Sequence, residues 1–300
     1  MSVYIRIVMK IINFVVLLCV LALNSFAQAP SKKLNNNPYK NSQWYFGFVG
    51  GFNYSLINVI NDFNVIEAAN PLESDLYQKT YQNKIELGTS YGLQTAYQFE
   101  QRLVLGGGVQ LQQLRFTYNQ DLLNSTDGIQ FQHKHRISYI QVPVFFRFMI
   151  RQVNSSMWNT SWKKPGIPAI IPYVQAGLNF GFLMRANKDV SRSIINEQYT
   201  ITDLSFSEEV SGLLNNFSFG AHIAVGARFR IGNVYLTAEA NLNQTVTNLS
   251  NENTRYANEN LVNNAYDVFD DMSATQLSAL IGMVVPLKYL STKEFLPIEL

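Results

Sequence analysis

Cysteine, histidine and charge are all scarce in this 300-residue chain, which has one cysteine, three histidines and 15% charged residues. Few side chains are therefore available for a metal site or for thiol chemistry, and we predict no cofactor. Basic and acidic residues are nearly balanced, at 23 and 21, which argues against a nucleic-acid partner. Apolar residues make up 47% of the chain, so intrinsic disorder is excluded.

Long apolar runs are also absent, with one exception at the amino terminus. Residues 11–23 are apolar, Arg6 and Lys10 precede them, and small residues at a cleavage site end at Ala27. This pattern is typical of a secretory signal peptide, which we place at residues 1–27. Cys19 follows a leucine, whereas a lipoprotein cleavage site has a small residue there, so we expect no lipid anchor. Removal of the signal peptide takes Cys19 with it, and we expect an exported chain without thiols or disulfides.

Alternation with a period of two is the main signal in the rest of the chain. From 87 to 99 the odd positions are mostly large and apolar, whereas the even positions are Gly, Ser, Ala or Gln. A helix would spread these residues around its circumference, so the pattern indicates a strand. The same alternation recurs in seven further segments: 44–54, 103–112, 140–148, 173–182, 217–229, 234–243 and 276–288.

The lengths of these segments and of their connections favour a membrane barrel. The strands are close to the roughly ten residues that cross a bilayer, and no later apolar stretch reaches the roughly 20 residues of a membrane helix. Short turns at 100–102 and 231–233 alternate with long polar stretches at 56–85, 120–132, 186–215 and 248–274. Such alternation is typical of outer-membrane barrels, whose long loops lie outside the cell.

We therefore predict an all-β protein, an eight-stranded antiparallel transmembrane up-and-down β-barrel over residues 44–290. It would lie in the outer membrane of a diderm bacterium. Residues 28–43 and 291–300 would be periplasmic, and the long turn at 151–169 would be a periplasmic excursion.

A closed eight-stranded barrel is just wide enough for side chains to fill, so the polar faces should point inward and pair with one another. We expect a packed lumen network that serves as a structural ion-pair plug, with a proton or solute path as the alternative. Its expected members are Glu86, Gln141, Arg147, Gln175, His222, Arg228, Glu239 and Lys288.

Aromatic residues at strand ends predict two interfacial girdles. Trp44, Phe148, Phe229 and Tyr289 are expected on the periplasmic side, with Tyr54 and Tyr118 on the outer side.

His133 and His135 alternate with Lys134 and Arg136, which predicts a solvated basic rim that contacts lipopolysaccharide phosphates. The same two rings would also suit a metal pair or a rim-active enzyme, but no third ligand stands at matching spacing.

Two loop segments have helical spacing of apolar residues. They contain Leu261, Ala265, Val268 and Phe269 in one case, and Val210, Leu213 and Leu214 in the other. These segments would either close the barrel mouth as a lid or bind a partner.

Three short motifs, Tyr139 through Pro143, Tyr173 with Gly177, and Glu239 to Asn248, resemble strands of the PorT-like outer-membrane barrel proteins. The segment from Tyr139 through Pro143 is similar to a strand of that family, with Gln141 in place of its usual glutamate. Tyr173 and Gly177 are similar to the next strand. A third match runs from Glu239 to Asn248, where Asn241 and Leu242 replace the family's arginine and tyrosine.

The resemblance implies an outer-membrane protein of bacteria that use type IX secretion and gliding. We expect a non-enzymatic barrel that docks to other envelope proteins, with outer-membrane lipid and lipopolysaccharide as its surroundings and no nucleic acid. A small solute channel and a rim-active enzyme are the alternatives.

Overall fold

The computed structural model describes residues 43–65, 77–82, 86–98, 102–122, 128–150, 170–195, 200–231 and 234–286. The predicted signal peptide, the turn at 151–169, Lys288, Tyr289 and the carboxy-terminal tail lie outside these ranges.

Ten strands account for most of the described residues. They are β1 (Gln43–Asn61), β2 (Tyr77–Gln82), β3 (Leu87–Gln98), β4 (Leu103–Leu122), β5 (Gly128–Met149), β6 (Ile170–Ile195), β7 (Thr200–Glu209), β8 (Phe217–Ile231), β9 (Val234–Thr245) and β10 (Asp271–Pro286).

Eight of the strands close into a ring in which all neighbours are antiparallel. The order is β1, β3, β4, β5, β6, β8, β9 and β10, and β10 pairs with β1 to close the barrel. Closure leaves no free edge within the ring, so the backbone polar groups pair inside the wall. The predicted eight-stranded antiparallel barrel is confirmed, and each predicted segment forms part of one ring strand.

The connections that follow β1, β4, β6 and β9 lie at one end of the ring, which we call the loop end, and those that follow β3, β5 and β8 lie at the other, which we call the turn end. The predicted loop at 120–132 is short, because β4 ends at Leu122 and β5 begins at Gly128. β2 and β7 stand outside the ring at the loop end. β2 pairs with the last residues of β4, and β7 pairs with the last residues of β6. The interpretation of 56–85 and 186–215 as loops throughout was therefore wrong at these strands.

The outward face of β5 changes its polarity part of the way along the strand. From Ile140 to Phe148 the outward side chains are apolar, whereas from Gln130 to Ser138 they are polar. The inward face carries Phe131, Ile137 and Tyr139 above that point, and below it Gln141 and Arg147 lie among Phe145 and Met149. About ten residues cross a bilayer, so the apolar outward stretch marks the membrane-spanning part and the rest of β5 stands above it.

Among the residues that the structure describes, helical structure is limited to the loop end. A short helix, α1 (Glu259–Ala265), begins after Asn258, whose side chain accepts a hydrogen bond from the Leu261 amide. The second predicted helical segment forms only a 3₁₀ turn, Ser211–Leu213, because Glu208 and Glu209 belong to β7. Among the described residues no helix is long and apolar enough to span a membrane.

Candidate functional site

The barrel interior is filled in layers, beginning with an apolar layer at the turn end. Nine buried side chains form it: Tyr45, Ala96, Val104, Phe145, Met149, Ile171, Tyr173, Tyr235 and Val284. Tyr45 also donates a hydrogen bond to Gln98 at 3.0 Å. This layer fills the lumen at the turn end.

An ion pair between Arg147 and Glu239 lies against the apolar layer, with the Arg147 guanidinium over the rings of Phe145 and Tyr173. The Nη2 and Oε2 atoms are 3.3 Å apart, and Tyr173 donates a hydrogen bond to the same carboxylate oxygen at 3.0 Å. The Arg147 guanidinium also donates to Gln175 at 2.9 Å and lies 4.1 Å from the centroid of the Tyr173 ring. Arg147 is 1% exposed, so Glu239 is what balances its charge away from water.

The remaining lumen residues from the sequence divide into three groups. His222 is within 3.2 Å of the Gln175 amide nitrogen and so joins the Arg147 network. Arg228 is also buried, but its guanidinium lies over the Tyr45 ring at 4.8 Å rather than against a carboxylate. Glu86 lies away from the network, since its carboxylate accepts a hydrogen bond from Thr117 near the loop end.

The middle of the barrel is filled by amide and hydroxyl side chains. Gln112 donates to Gln276 at 2.6 Å, and Asn243 donates to the same oxygen at 3.2 Å. The remaining cavity has a volume of about 30 Å³, and Gln141 is among the residues that line it. Such a space has room for only a few water molecules.

The residues of the motifs that resemble PorT-like proteins lie at positions where they support the fold. Tyr139 and Pro143 are buried on the inward face of β5. A Cβ at Gly177 would lie 2.6 Å from the His222 ring and 2.2 Å from the Val144 carbonyl oxygen, so glycine permits the close packing of β5, β6 and β8 there. Asn248 lies in the loop after β9 and accepts hydrogen bonds from the backbone amides of Ser250 and Met272.

At the loop end a second body of side chains closes the barrel. We call residues 246–270 together with 210–216 the cap. Leu213, Leu261 and Phe269 of the cap are buried in one cluster with Leu114 of β4 and Ile137 of β5. Both segments with helical spacing thus point their apolar residues inward, as the lid interpretation requires.

Buried ions fasten the cap to the strands. Asp267 forms ion pairs with Lys188 of β6 and, at 3.3 Å, with Lys79 of β2, and it accepts a hydrogen bond from Tyr118 at 2.8 Å. All four side chains are at most 5% exposed. Burial alone would raise the pKa of Asp267, but the two ammonium groups hold it well below its ordinary value.

Asp270 completes this arrangement from the same cap segment. It accepts hydrogen bonds from Lys79 at 2.8 Å, from the Phe63 amide at 2.8 Å and from Tyr81 at 2.5 Å. Burial lowers the pKa of Lys79, but Asp267 and Asp270 outweigh that effect and raise it. For Lys188, burial prevails and the pKa is lowered. The sequence analysis missed these two lysines and Asp267, because partners on separate strands and loops carry no local motif.

Three residues assigned to the outer surface from the sequence are in fact inside. Tyr118 is 2% exposed and bonded to Asp267, so its placement in the outer girdle was wrong. His133 and His135 are 0% exposed, so the solvated histidine rim was also wrong. The physical reason is the polarity exchange along β5 and β4, whose inward faces become aromatic once the strands rise above the membrane.

The two histidines are packed among rings. His135 stacks on Phe116 with centroids 4.4 Å apart, and His133 stacks on Tyr118 at 4.6 Å. The His133 Nε2 atom is 3.0 Å from the Gln120 side-chain oxygen. Burial lowers the pKa of both imidazoles well below 6.5, and the Lys188 ammonium lowers it further. Two neutral rings away from solvent cannot act on a lipid or peptide substrate outside the barrel.

Four of the other predicted girdle residues face outward. Trp44 is 51% exposed and lies 4.9 Å from the Tyr97 ring. Tyr54, Phe148 and Phe229 are half-buried on the outward faces of their strands. Trp44, Phe148 and Phe229 lie toward the turn end.

Comparison with known proteins finds solved structures that are similar to this chain and no sequence family. No family model matches the chain, and no curated protein matches it. Neisserial surface protein A aligns with a TM-score of 0.34 and 12% identity, over 82% of this chain and 98% of that one. The attachment invasion locus protein Ail of Yersinia pestis aligns with a TM-score of 0.28 and 11% identity, over 81% and 99%. The N-terminal β-barrel domain of Pseudomonas aeruginosa OprF aligns with a TM-score of 0.23 and 12% identity, over 80% and 96%. Similarity at these scores does not assign a function.

Proposed function

We propose that this protein is a non-enzymatic barrel of the outer membrane that serves as a docking or accessory component of an envelope complex. The observation that carries the proposal is a barrel with a filled lumen and a packed cap. The turn end, the ionic layer, the amide layer and the cap each bury their side chains. A barrel built in this way offers surfaces for binding other proteins rather than a channel through its lumen.

The architecture supports a location in the outer membrane. Outward apolar residues form a band around the ring, and a closed antiparallel barrel of this kind is the strand-built solution for crossing a lipid bilayer. The loop end would then face the cell exterior and the turn end the periplasm. Lipid and lipopolysaccharide would surround the band.

The family-like motifs around Tyr139, Tyr173 and Glu239 suggest the more specific role. They resemble PorT-like proteins, and this resemblance supports an accessory role in type IX secretion or gliding. The cap offers exposed apolar side chains for a partner, since Tyr256 is 56% exposed and Ile201 of the adjoining β7 is 53% exposed.

A solute channel is the alternative, and the lumen argues against it. The cavity among the amide side chains has a volume of about 30 Å³, and Glu239 of the buried ion pair with Arg147 is among the residues that line it. Planar bilayers that contain the purified barrel should therefore show no steady single-channel current. Regular current steps that disappear in the variant Glu239→Ala would replace the docking proposal with the channel.

Site-specific photo-crosslinking in intact cells tests docking directly. A photoreactive residue at Tyr256 or Ile201 should form a covalent adduct with one reproducible envelope protein. The same residue at Ile281, which is 69% exposed on the outward face of β10, should yield mainly lipid adducts. Absence of a reproducible protein adduct from either cap-side position would overturn the docking proposal.

A further inference from the structure

Four basic side chains lie together just above the apolar band, on the outward faces of β4, β5 and β6. We call Arg115, Lys134, Arg136 and Arg185 the boundary patch. Arg115 lies directly opposite Arg136 across β4 and β5. Arg185 lies opposite Ser138, and Lys134 is the next outward residue of β5 above Arg136. Lys134, Arg136 and Arg185 are exposed and Arg115 is partly exposed.

The register of Arg115 and Arg136 places two like charges on neighbouring strands. Residues directly opposite in an antiparallel pair have Cβ atoms about 5 Å apart, and like charges at that distance destabilise the sheet. One acid offsets part of this charge, because Asp189 forms a 2.7 Å ion pair with Nη2 of Arg136. Within the described residues, Arg115 forms no ion pair and donates to an uncharged group, the Gln113 side chain, at 2.9 Å. An additional anion between the two arginines would remove the repulsion.

The rest of the patch leaves positive charge unpaired. Within the described part of the chain, Lys134 and Arg185 form no ion pair. Three acids lie on this face. Asp189 lies opposite Lys134 and also accepts a hydrogen bond from Ser207 at 2.6 Å, Glu209 lies opposite Asn187 of β6 and accepts one from Ser211 at 3.2 Å, and Glu86 accepts one from Thr117. The patch therefore has donors available for a ligand that carries negative charge.

The height of the patch identifies the kind of anion. The first apolar outward residue of β5 is Ile140, four residues from Arg136. A rise of about 3.4 Å per residue, reduced by a strand tilt of about 40°, puts the Arg136 backbone roughly 10 Å above that residue. A long arginine side chain spans much of that distance. The groups at this depth of a bilayer are lipid headgroups.

On the basis of the proposed outer-membrane location, we propose that the boundary patch binds the phosphate groups of lipopolysaccharide in the outer leaflet. Two guanidinium groups on adjacent strands can each form paired hydrogen bonds with phosphate oxygens. The apolar band directly below would accept the acyl chains of the same lipid. Soluble phosphate would satisfy the arginines but would gain nothing from the band.

Binding to the full chain in phosphatidylcholine nanodiscs tests the proposal. The three probes are bisphosphorylated lipid A, the same lipid without its phosphates, and inorganic phosphate. The test variant is Arg115→Gln with Arg136→Gln, and the matched control is Arg192→Gln, since Arg192 lies on the β6–β7 hairpin and pairs with Asp203. Native mass spectrometry gives the occupancy, and the heat-dependent shift of the barrel on gels shows that each variant folds.

We expect the test variant to bind bisphosphorylated lipid A at least tenfold more weakly than the parent chain, and Arg192→Gln to bind as the parent does. In detergent without phosphate, Arg115→Gln should melt no lower than the parent, because it removes a repulsion. Equal binding by the test variant, or equal binding of the lipid without phosphates, would overturn the proposal. Saturation by inorganic phosphate at the lipid's own concentration would assign the patch to soluble anions and also overturn it.

Cell fractionation separates this inference from the proposed function. If the parent chain and the test variant both fractionate with the outer membrane while neither responds to lipid phosphates, only the phosphate site fails. If the parent chain is absent from the outer membrane, the proposed function itself fails.

Discussion

At the residue scale, Glu239 is the most consequential side chain of the lumen. It balances the buried Arg147 and accepts a hydrogen bond from Tyr173. Removing one partner of a buried ion pair leaves an uncompensated charge, which costs about 3 kcal/mol or more. Glu239→Ala should lower the free energy of unfolding by that amount in urea titrations of the vesicle-inserted barrel.

The isosteric variant serves as the control for this experiment. Glu239→Gln keeps an oxygen that can accept from Tyr173, so it should lose less stability than Glu239→Ala. If the alanine variant unfolds at the same urea concentration as the parent chain, the Arg147 guanidinium does not depend on this carboxylate.

The buried histidines predict how the cap responds to pH. His133 and His135 face Lys188 of β6, Lys79 of β2, and Asp267 and Tyr118. Their pKa values are lowered in the folded state, so the opened cap binds more protons than the closed one below pH 6.5. Their contribution to stability is complete above pH 6.5 and is lost as the pH falls below it, at about 1.4 kcal/mol per unit for each ring.

Hydrogen exchange of the cap amides between pH 8 and 5, corrected for intrinsic rates, measures this effect. Opening should become more frequent below pH 6.5, and His135→Phe, which keeps a ring on Phe116, should halve the slope. A slope that is unchanged by this substitution would contradict the assignment to His135. The pKa of Asp267 is also lowered, so its contribution is lost only in more acidic solution, below about pH 4.

At the element scale, the segment around α1 is attached to β2 and β6 through Asp267. Asp267→Asn would leave Lys188 buried without its counterion, so the cap should open more often while the ring stays closed. We expect faster hydrogen exchange in residues 259–270 and little change in β1 and β10. The double variant Asp267→Asn with Lys188→Met should recover most of the protection, because it buries neither charge; failure to recover would show that the ion pair is not what closes the cap.

The ring elements were predictable from the sequence, whereas among the loop-end elements only the helix that contains Leu261 and Ala265 was. In the membrane-spanning segments one face must be apolar for lipid, so the period of two is strong and the eight ring strands were found. Above the membrane both faces of β5 obey the rules of a soluble sheet, and the segment from Phe131 to Ile137 does not resemble the one from Ile140 to Phe148. Apolar inward residues at 131, 137 and 139 continue the same period and are the signal that could have extended the strand.

The residues of the candidate site also differ in how far the sequence could predict them. The lumen pairing of Arg147 with Glu239 could be anticipated, because a closed barrel forces inward charges on facing strands to meet. Lys79, Lys188 and Asp267 could not, since they come from three separate segments whose approach depends on how the cap folds. The sequence also does not show which residues of a strand lie above the membrane-spanning part, and for this reason Tyr118 and the two histidines were placed on the wrong face.

At the scale of the whole molecule, the outward band predicts where charge is tolerated. Ala279 is exposed on the outward face of β10 within the band, and Ala279→Arg should cost about 2–4 kcal/mol of unfolding free energy in lipid vesicles. Ser205, exposed on β7 above the band, provides the control, and Ser205→Arg should leave stability nearly unchanged. Equal losses at the two positions would contradict the assignment of the band.

The exchange of polarity along β5 constrains how the protein can reach its final place. The part of the molecule above the band has a polar exterior around an apolar interior, whereas the part within the band has an apolar exterior. Once folded, the part above the band could not pass through the hydrocarbon core, because its exterior is polar. Its hairpins therefore have to cross the bilayer unfolded and pack around Phe269 and its neighbours outside the membrane. The last step of biogenesis would then be the folding of the cap onto a barrel that is already inserted in the membrane.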